Sequence, residues 1–166
     1  MSLSSSMSTS SSRSRVHIGV IGGSECSDGV ARLAEKVGAG IANRGAVLVC
    51  GGLTGVMEAA CRGAKQAGGF TIGILPGHDR HEANQHVDIA IATGLGEARN
   101  LAIIRTADRL IAIDGSHGTL SEIGFALRMG KWVVGLETWD VAGVVRAESP
   151  EQALDLVFDG LRQSPG

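Results

Sequence analysis

Ile111-Ala112-Ile113-Asp114-Gly115-Ser116-His117-Gly118-Thr119-Leu120-Ser121-Glu122 decides how this chain folds, because an apolar strand runs into a glycine-bracketed turn and straight on into the start of a helix. Without side chains at Gly115 and Gly118, successive backbone N–H groups can turn toward one point. The first turn of the following helix adds unpaired donors and the positive end of its dipole. Such a turn is shaped to receive an anion.

Outward from that stretch, short β-branched runs alternate with helical patterns, each pair punctuated by glycine. Strands are expected over Val16 to Ile21, Ala46 to Cys50, Phe70 to Leu75, Val87 to Ile91, Arg109 to Ile113 and Trp132 to Leu136. Between them, Val30, Leu33, Ala34, Val37 and Ile41 fall on one helical face ahead of Gly45. Further helices are expected over Gly55 to Ala67, Glu97 to Thr106 and Thr119 to Met129. A last helix opens with Ser149 as N-cap, Pro150 at the first helical position and Gln152 as capping-box partner. Strands apolar on both faces belong to a parallel sheet covered by helices on both sides. The expectation is a three-layer α/β/α sandwich with a doubly wound, mainly parallel, Rossmann-like sheet and no internal repeat.

The chain has 166 residues. A serine-rich stretch over 1–14 reads as a disordered tail, leaving 15–166, about 150 residues, for a single domain with its own core. A formal net charge of −2 gives no basic field for a polyanion, and three Phe, two Trp and no Tyr give few platforms for stacking bases, so nucleic acid is not an expected partner. No apolar run reaches the roughly 18 to 20 residues of a membrane helix, and the serine-rich start lacks the apolar centre of a secretory signal. Three cysteines, Cys26, Cys50 and Cys61, without C-x-x-C spacing suggest neither a disulfide framework nor a zinc knuckle. The expected compartment is the cytoplasm.

In doubly wound sheets ligands bind beyond the carboxyl ends of the strands. Those ends carry Gly22-Gly23-Ser24, then Gly51-Gly52-Leu53-Thr54-Gly55, then the Gly115 to Thr119 turn. One glycine turn alone serves chain geometry as well as it serves a ligand, but three on one rim favour a binding site. G-x-G-x-x-G is missing and Cys50-Gly51-Gly52 stands where an acidic residue would hold a ribose, which argues against a nicotinamide dinucleotide. G-x-x-x-x-G-K-[ST] is also missing, which removes the P-loop.

Gly51-Gly52 with Gly55-Val56-Met57, Gly73-Ile74-Leu75-Pro76-Gly77, Ala98-Arg99-Asn100, and Gly115-Ser116-His117-Gly118-Thr119 with Glu122 form an ordered series. The series resembles the Lonely Guy (LOG) superfamily, formerly labelled lysine-decarboxylase-like, and within it the molybdenum cofactor carrier proteins. The resemblance runs from Val16 to about Leu136. LOG phosphoribohydrolases cleave the base from a nucleoside 5′-monophosphate and carry P-G-G-x-G-T-x-x-E with an Arg-Lys pair on the preceding helix. Gly118, Thr119 and Glu122 match the end of that motif and Arg99 matches the arginine. Asp114-Gly115-Ser116 stands in place of Pro-Gly-Gly, and Asn100 in place of the lysine. Both departures count against hydrolysis. Arg99-Asn100 preceded by Gly94-Leu95-Gly96, and the Thr71 to Gly77 stretch, look closer to the carrier branch.

The resemblance implies a bound nucleotide or molybdenum cofactor as ligand, no further required cofactor, and a homodimer or homotetramer. Its candidate ligand- and phosphate-binding residues are Gly22, Gly23, Ser24, Gly51, Gly52, Thr54, Gly55, Met57, Arg99, Asn100, Gly115, Ser116, His117, Gly118 and Thr119. Should the chain hydrolyse N-glycosidic bonds, Glu122 would stabilise positive charge developing on the ribose and orient a water, while Arg99 would present a permanent charged fork to the phosphate or departing base.

Each assignment has a plainer counterpart. Thr119-x-x-Glu122 also fits a capping box, and Arg99 also fits a solvated helix residue or an ion pair with Glu97 or Asp108. His117 is placed equally well at an exposed loop tip. His78, His81 and His86, with Asp79 and Glu82, have metal-ligating types, but an irregular loop without cysteine holds ligands poorly, so a mobile lid or ordinary loop polarity is expected and no metal. Cys26 stands near a helix start with no candidate base beside it, so packing is the expected role.

Overall fold

The computed structural model describes residues 14–161, so the serine-rich stretch lies outside the described residues save for Ser14. Seven strands form one parallel sheet: β1 (His17–Gly22), β2 (Val47–Cys50), β3 (Phe70–Leu75), β4 (Ile89–Ala92), β5 (Arg109–Ile113), β6 (Trp132–Leu136) and β7 (Val145–Ala147). Their order is β4-β3-β2-β1-β5-β6-β7. The chain winds outward from β1 in one direction, returns to pair β5 with β1, and winds outward in the other, so the switch point lies between β1 and β5. This is the Rossmann-like α/β sandwich expected from the sequence.

Alternation along the strands separates two cores. Ile18, Val20, Leu48, Cys50, Ile111, Ile113, Val134 and Leu136 face a layer built by α1 (Asp28–Asn43), α2 (Val56–Gln66) and α5 (Pro150–Phe158). Ile21, Val47, Val49, Leu110, Ala112 and Val133 face α3 (Arg99–Thr106) and α4 (His117–Arg128). Helices α1 and α2 pack backbone against backbone. A Cβ added at Gly38 would overlap the Ala60 carbonyl, and one at Gly63 the Glu35 carbonyl.

The ends of the helices follow their sequence signals. Ser27 Oγ accepts the Val30 N–H at 3.2 Å, and Ser149 Oγ accepts the Gln152 N–H at 3.1 Å. The Gln152 side chain reaches back to the Glu148 N–H at 2.7 Å.

Three strands keep the expected bounds, β3, β5 and β6. Three expectations need correction. The strand β7 was not expected, and α4 begins at His117 rather than Thr119, so Gly118 lies within the helix and not in the turn. A single turn of 3-10 helix, Gly96–Ala98, precedes α3, which therefore opens at Arg99 rather than Glu97.

Candidate functional site

The ends of β1, β2 and β5 converge, and a cavity of about 330 Å³ opens between them. Of the expected residues its wall includes Gly22, Gly23, Ser24, Gly51, Met57, Arg99, Asn100, Ser116, Gly118, Thr119 and Glu122. Gly52, Thr54 and Gly55 are not part of that wall. Thr54 Oγ1 donates to the Ser24 carbonyl at 2.8 Å and the Val56 N–H donates to the Gly23 carbonyl at 3.0 Å, so Thr54 and Val56 lace the β1 turn to the β2 turn.

Gly115 has φ 110°, and a Cβ there would overlap the Thr119 side chain. It lines an adjoining hollow with Gly23, Ser24, Glu25, Asp114 and Ser116. His117 is exposed, its ring 5.6 Å from that of Trp139, whose indole N–H donates to the Ser116 carbonyl at 3.0 Å.

Arg99 is only 8% exposed. Its Nη1 donates to the Gly51 carbonyl at 2.8 Å and the Ile74 carbonyl at 2.7 Å, clasping the ends of β2 and β3. It is neither a solvated helix residue nor an ion-pair partner of Glu97 or Asp108. Asp108 instead accepts the His17 N–H at 2.8 Å. Gly51 leaves the room for this arrangement, since a Cβ there would overlap Nη1. Arg99 Nε is buried and has no hydrogen-bond partner. A desolvated guanidinium donor left unmatched is costly unless something arrives to accept from it. Burial pulls the guanidinium below its ordinary value, with Glu122 and then Cys50 opposing that pull.

Glu122 lines the same cavity and feels the Arg99 charge. Since the N-cap of α4 is Ser116, Glu122 falls in the second turn, too far along to cap the helix start, so the capping-box reading does not hold. Burial pushes its carboxyl up to about 7 and the Arg99 charge, acting the other way, does not offset this. The Ser116 side chain makes no capping hydrogen bond, which leaves the first-turn N–H groups of a twelve-residue helix without a side-chain acceptor where Gly118 and Thr119 border the cavity. The cavity thus brings together a buried cation on α3, the N-terminus of α4 and, further along α4, a carboxyl that burial pushes up to about 7.

Sequence reasoning missed Glu97, Leu53, Pro76 and Ile103, all on the cavity wall. Only the position of Glu97, two residues before Arg99, could have signalled it.

The loop holding His78, His81 and His86 is tied down at Asn84, whose side chain donates to the Gly52 and Leu53 carbonyls at 3.3 and 2.7 Å. Among the described residues no three His, Cys, Asp or Glu side chains group closely enough to hold a metal ion. Cys26 is half-buried and its thiol is pushed up by burial, then by Asp114 and Asp28, the reverse of an activated nucleophile. No helix among the described residues is long and apolar enough to cross a membrane.

Comparison with known proteins agrees with this geometry. The molybdenum cofactor binding protein of the phototrophic bacterium Rippkaea orientalis is 40% identical, with a TM-score of 0.84 over 88% of this chain and 97% of that one. The molybdenum cofactor carrier protein of Chlamydomonas reinhardtii is 35% identical, with a TM-score of 0.80 over 87% and 96%. A cytokinin riboside 5′-monophosphate phosphoribohydrolase of Mycobacterium tuberculosis is 36% identical over 94 residues, 55% of this chain and 50% of that protein. Residues 15–159 match the model of the SLOG cluster4 family, and the chain belongs to that family, within the superfamily of LOG and molybdenum cofactor carrier-like proteins.

Proposed function

We propose that this protein binds a phosphate-bearing small ligand, a nucleotide or a molybdenum-cofactor-like molecule, in the cavity at the β1–β5 switch point, and that it does so in the cytoplasm as a single-domain subunit. The observation that carries the reading is the buried Arg99, with its unmatched Nε, on the wall of the same cavity as the start of α4, which no side chain caps. An anion lodged there gains a charge-assisted hydrogen bond and the helix-end donors together. The names of the Rippkaea and Chlamydomonas proteins support the ligand class.

The site residues act by holding and orienting. Gly23, Ser24 and Gly118 let the ligand approach the backbone closely, Thr119 and Asn100 offer polar contacts, and Met57 supplies an apolar wall. Assembly into dimers or tetramers belongs to the same reading. Its support is exposed apolar surface at Ile89 and Ile91 on the edge strand β4, and at Leu95 and Phe125. Light scattering on the purified protein measures the assembly directly.

Binding is tested by equilibrium dialysis of the protein against nucleoside monophosphates and against isolated molybdenum cofactor. Saturable binding that Arg99→Ala abolishes is the expected result. Failure of every one of these ligands to bind refutes the reading.

A second reading, hydrolysis of a nucleoside 5′-monophosphate, is favoured by one specific observation, the half-buried Glu122 carboxyl on the same cavity wall as Arg99. In its ionised form it stabilises an oxocarbenium-like ribose and directs a water. Release of free base and ribose 5-phosphate from AMP, lost in Glu122→Ala, establishes this reading; binding without products leaves the carrier.

A further inference from the structure

We propose that Glu97 makes the cavity selective for a ring bearing an N–H beside an exocyclic NH2, the 2-amino-4-oxopyrimidine edge shared by guanine and pterins, over adenine. This rests on the ligand-binding reading above and names the class of ligand.

The argument starts from the charges on the wall. Three charged side chains line the cavity: Arg99, Glu122 and Glu97. Arg99 is buried and Glu122 half-buried, and the two interact electrostatically, whereas the Glu97 side chain is exposed and makes no ion pair or hydrogen bond among the described residues. A pocket that received only an anion would be weakened by a second carboxylate on its rim. The contradiction disappears if the ligand is two-ended, with its negative group at Arg99 and the start of α4 and its donor groups at Glu97.

The backbone that carries Glu97 is fixed relative to Arg99. The Gly96 N–H donates to the Pro76 carbonyl at 3.0 Å and the Gly94 N–H to the Gly77 carbonyl at 2.8 Å, so the turn before α3 is fastened to the end of β3. Arg99 is fastened to the same strand through Ile74. The rest of the wall supplies apolar surface chiefly from the half-buried Leu53 and Pro76, with a small contribution from Met57, suited to the face of a flat bicycle. An ionised carboxylate only accepts, and its two oxygens form a fork. Adjacent N–H and NH2 groups satisfy that fork in parallel, whereas adenine turns a ring-nitrogen lone pair toward it.

The test is calorimetric titration of GMP, AMP and a pterin with a phosphorylated side chain into the wild-type protein, Glu97→Gln and Glu97→Ala. The wild type should bind GMP, the pterin or both about tenfold or more tighter than AMP, the discrimination expected of a bidentate pair. Glu97→Ala should lose most of that preference by weakening the 2-amino ligands while leaving AMP unchanged or stronger, and Glu97→Gln should fall between. GMP without the pterin, or the reverse, identifies the source of the edge, and either supports the proposal. An unchanged ratio in Glu97→Ala, or AMP bound as tightly as both others by the wild type, overturns it while ligand binding stands. If none of the three binds, the ligand-binding reading falls and takes this one with it.

Discussion

Replacing Glu122 by glutamine should remove a pH dependence of stability that the buried carboxyl imposes on the fold. Folded, its proton is held up to about 7. Unfolded, the same group titrates near its ordinary value of 4.5. The folded state therefore binds the proton more tightly, and this contribution is fully present below the unfolded value and lost as pH rises through about 7. At ~1.4 kcal/mol per pH unit, the whole interval amounts to on the order of 3 kcal/mol. Between roughly pH 5.5 and 8.5 about 2 kcal/mol of it disappears. For a chain of this size that lowers Tm by about 4–8 °C.

The assay is thermal unfolding of the wild type and Glu122→Gln across that range, read as the difference between the two proteins so that groups common to both cancel. Glutamine is isosteric and never ionises, so the variant should gain on the wild type as pH rises. Parallel curves would refute the reasoning, since they would mean that Glu122 stays ionised or stays solvated throughout.

Gly51→Ala should drive the Arg99 guanidinium off the Gly51 and Ile74 carbonyls, costing about 2–4 kcal/mol of unfolding free energy by chemical denaturation, from the loss of hydrogen bonds to a charged donor. A variant as stable as the wild type would show that Arg99 relaxes freely. Gly63→Ala puts a methyl into the Glu35 carbonyl and should destabilise the chain by about 1–3 kcal/mol through forced separation of α1 and α2. Ser149→Ala removes an observed helix cap and should cost about 1 kcal/mol, with no effect on ligand binding because α5 lies in a helix layer away from the cavity wall.

The parts of this fold that were legible in the sequence are those written in neighbouring residues. Phe70–Leu75, Arg109–Ile113 and Trp132–Leu136 are continuous apolar runs with a breaker or charge at the border, and the strands formed with those bounds. Val145–Ala147 is three residues long with an exposed Arg146 at its centre, and only its pairing with β6 makes it a strand. The start of α4 was displaced because Gly118 looked like part of the turn, while Ser116 already has the extended backbone of an N-cap.

The candidate site divides in the same way. Its glycine turns could be read along the chain, and ten of the fifteen expected ligand-binding residues border the cavity together with Glu122. The hydrogen bonds of Arg99 could not be read, because its acceptors lie 48 and 25 residues away and are brought to it only by the pairing of β2 with β3.

That placement bears on how an anion is neutralised. Arg99 commits Nη1 to two strand carbonyls and is partly balanced by Glu122, and no lysine follows it, since position 100 is Asn. The cavity wall therefore provides one cation already shared with the fold, facing carboxyl groups at Glu122 and Glu97. Net positive charge does not make this an anion site. For the ligand proposed above, fixed dipoles would do most of the work, from the amides at the start of α4 and the glycine turns after β1 and β2. Such dipoles are set by hydrogen bonding within the backbone and require no reorganisation when a ligand enters, whereas a mobile lysine must first be ordered. On the proposed reading, Asn100 in place of lysine would shift the site from charge pairing toward backbone recognition, which suits holding a ligand better than stabilising the charge that builds up as one is cleaved.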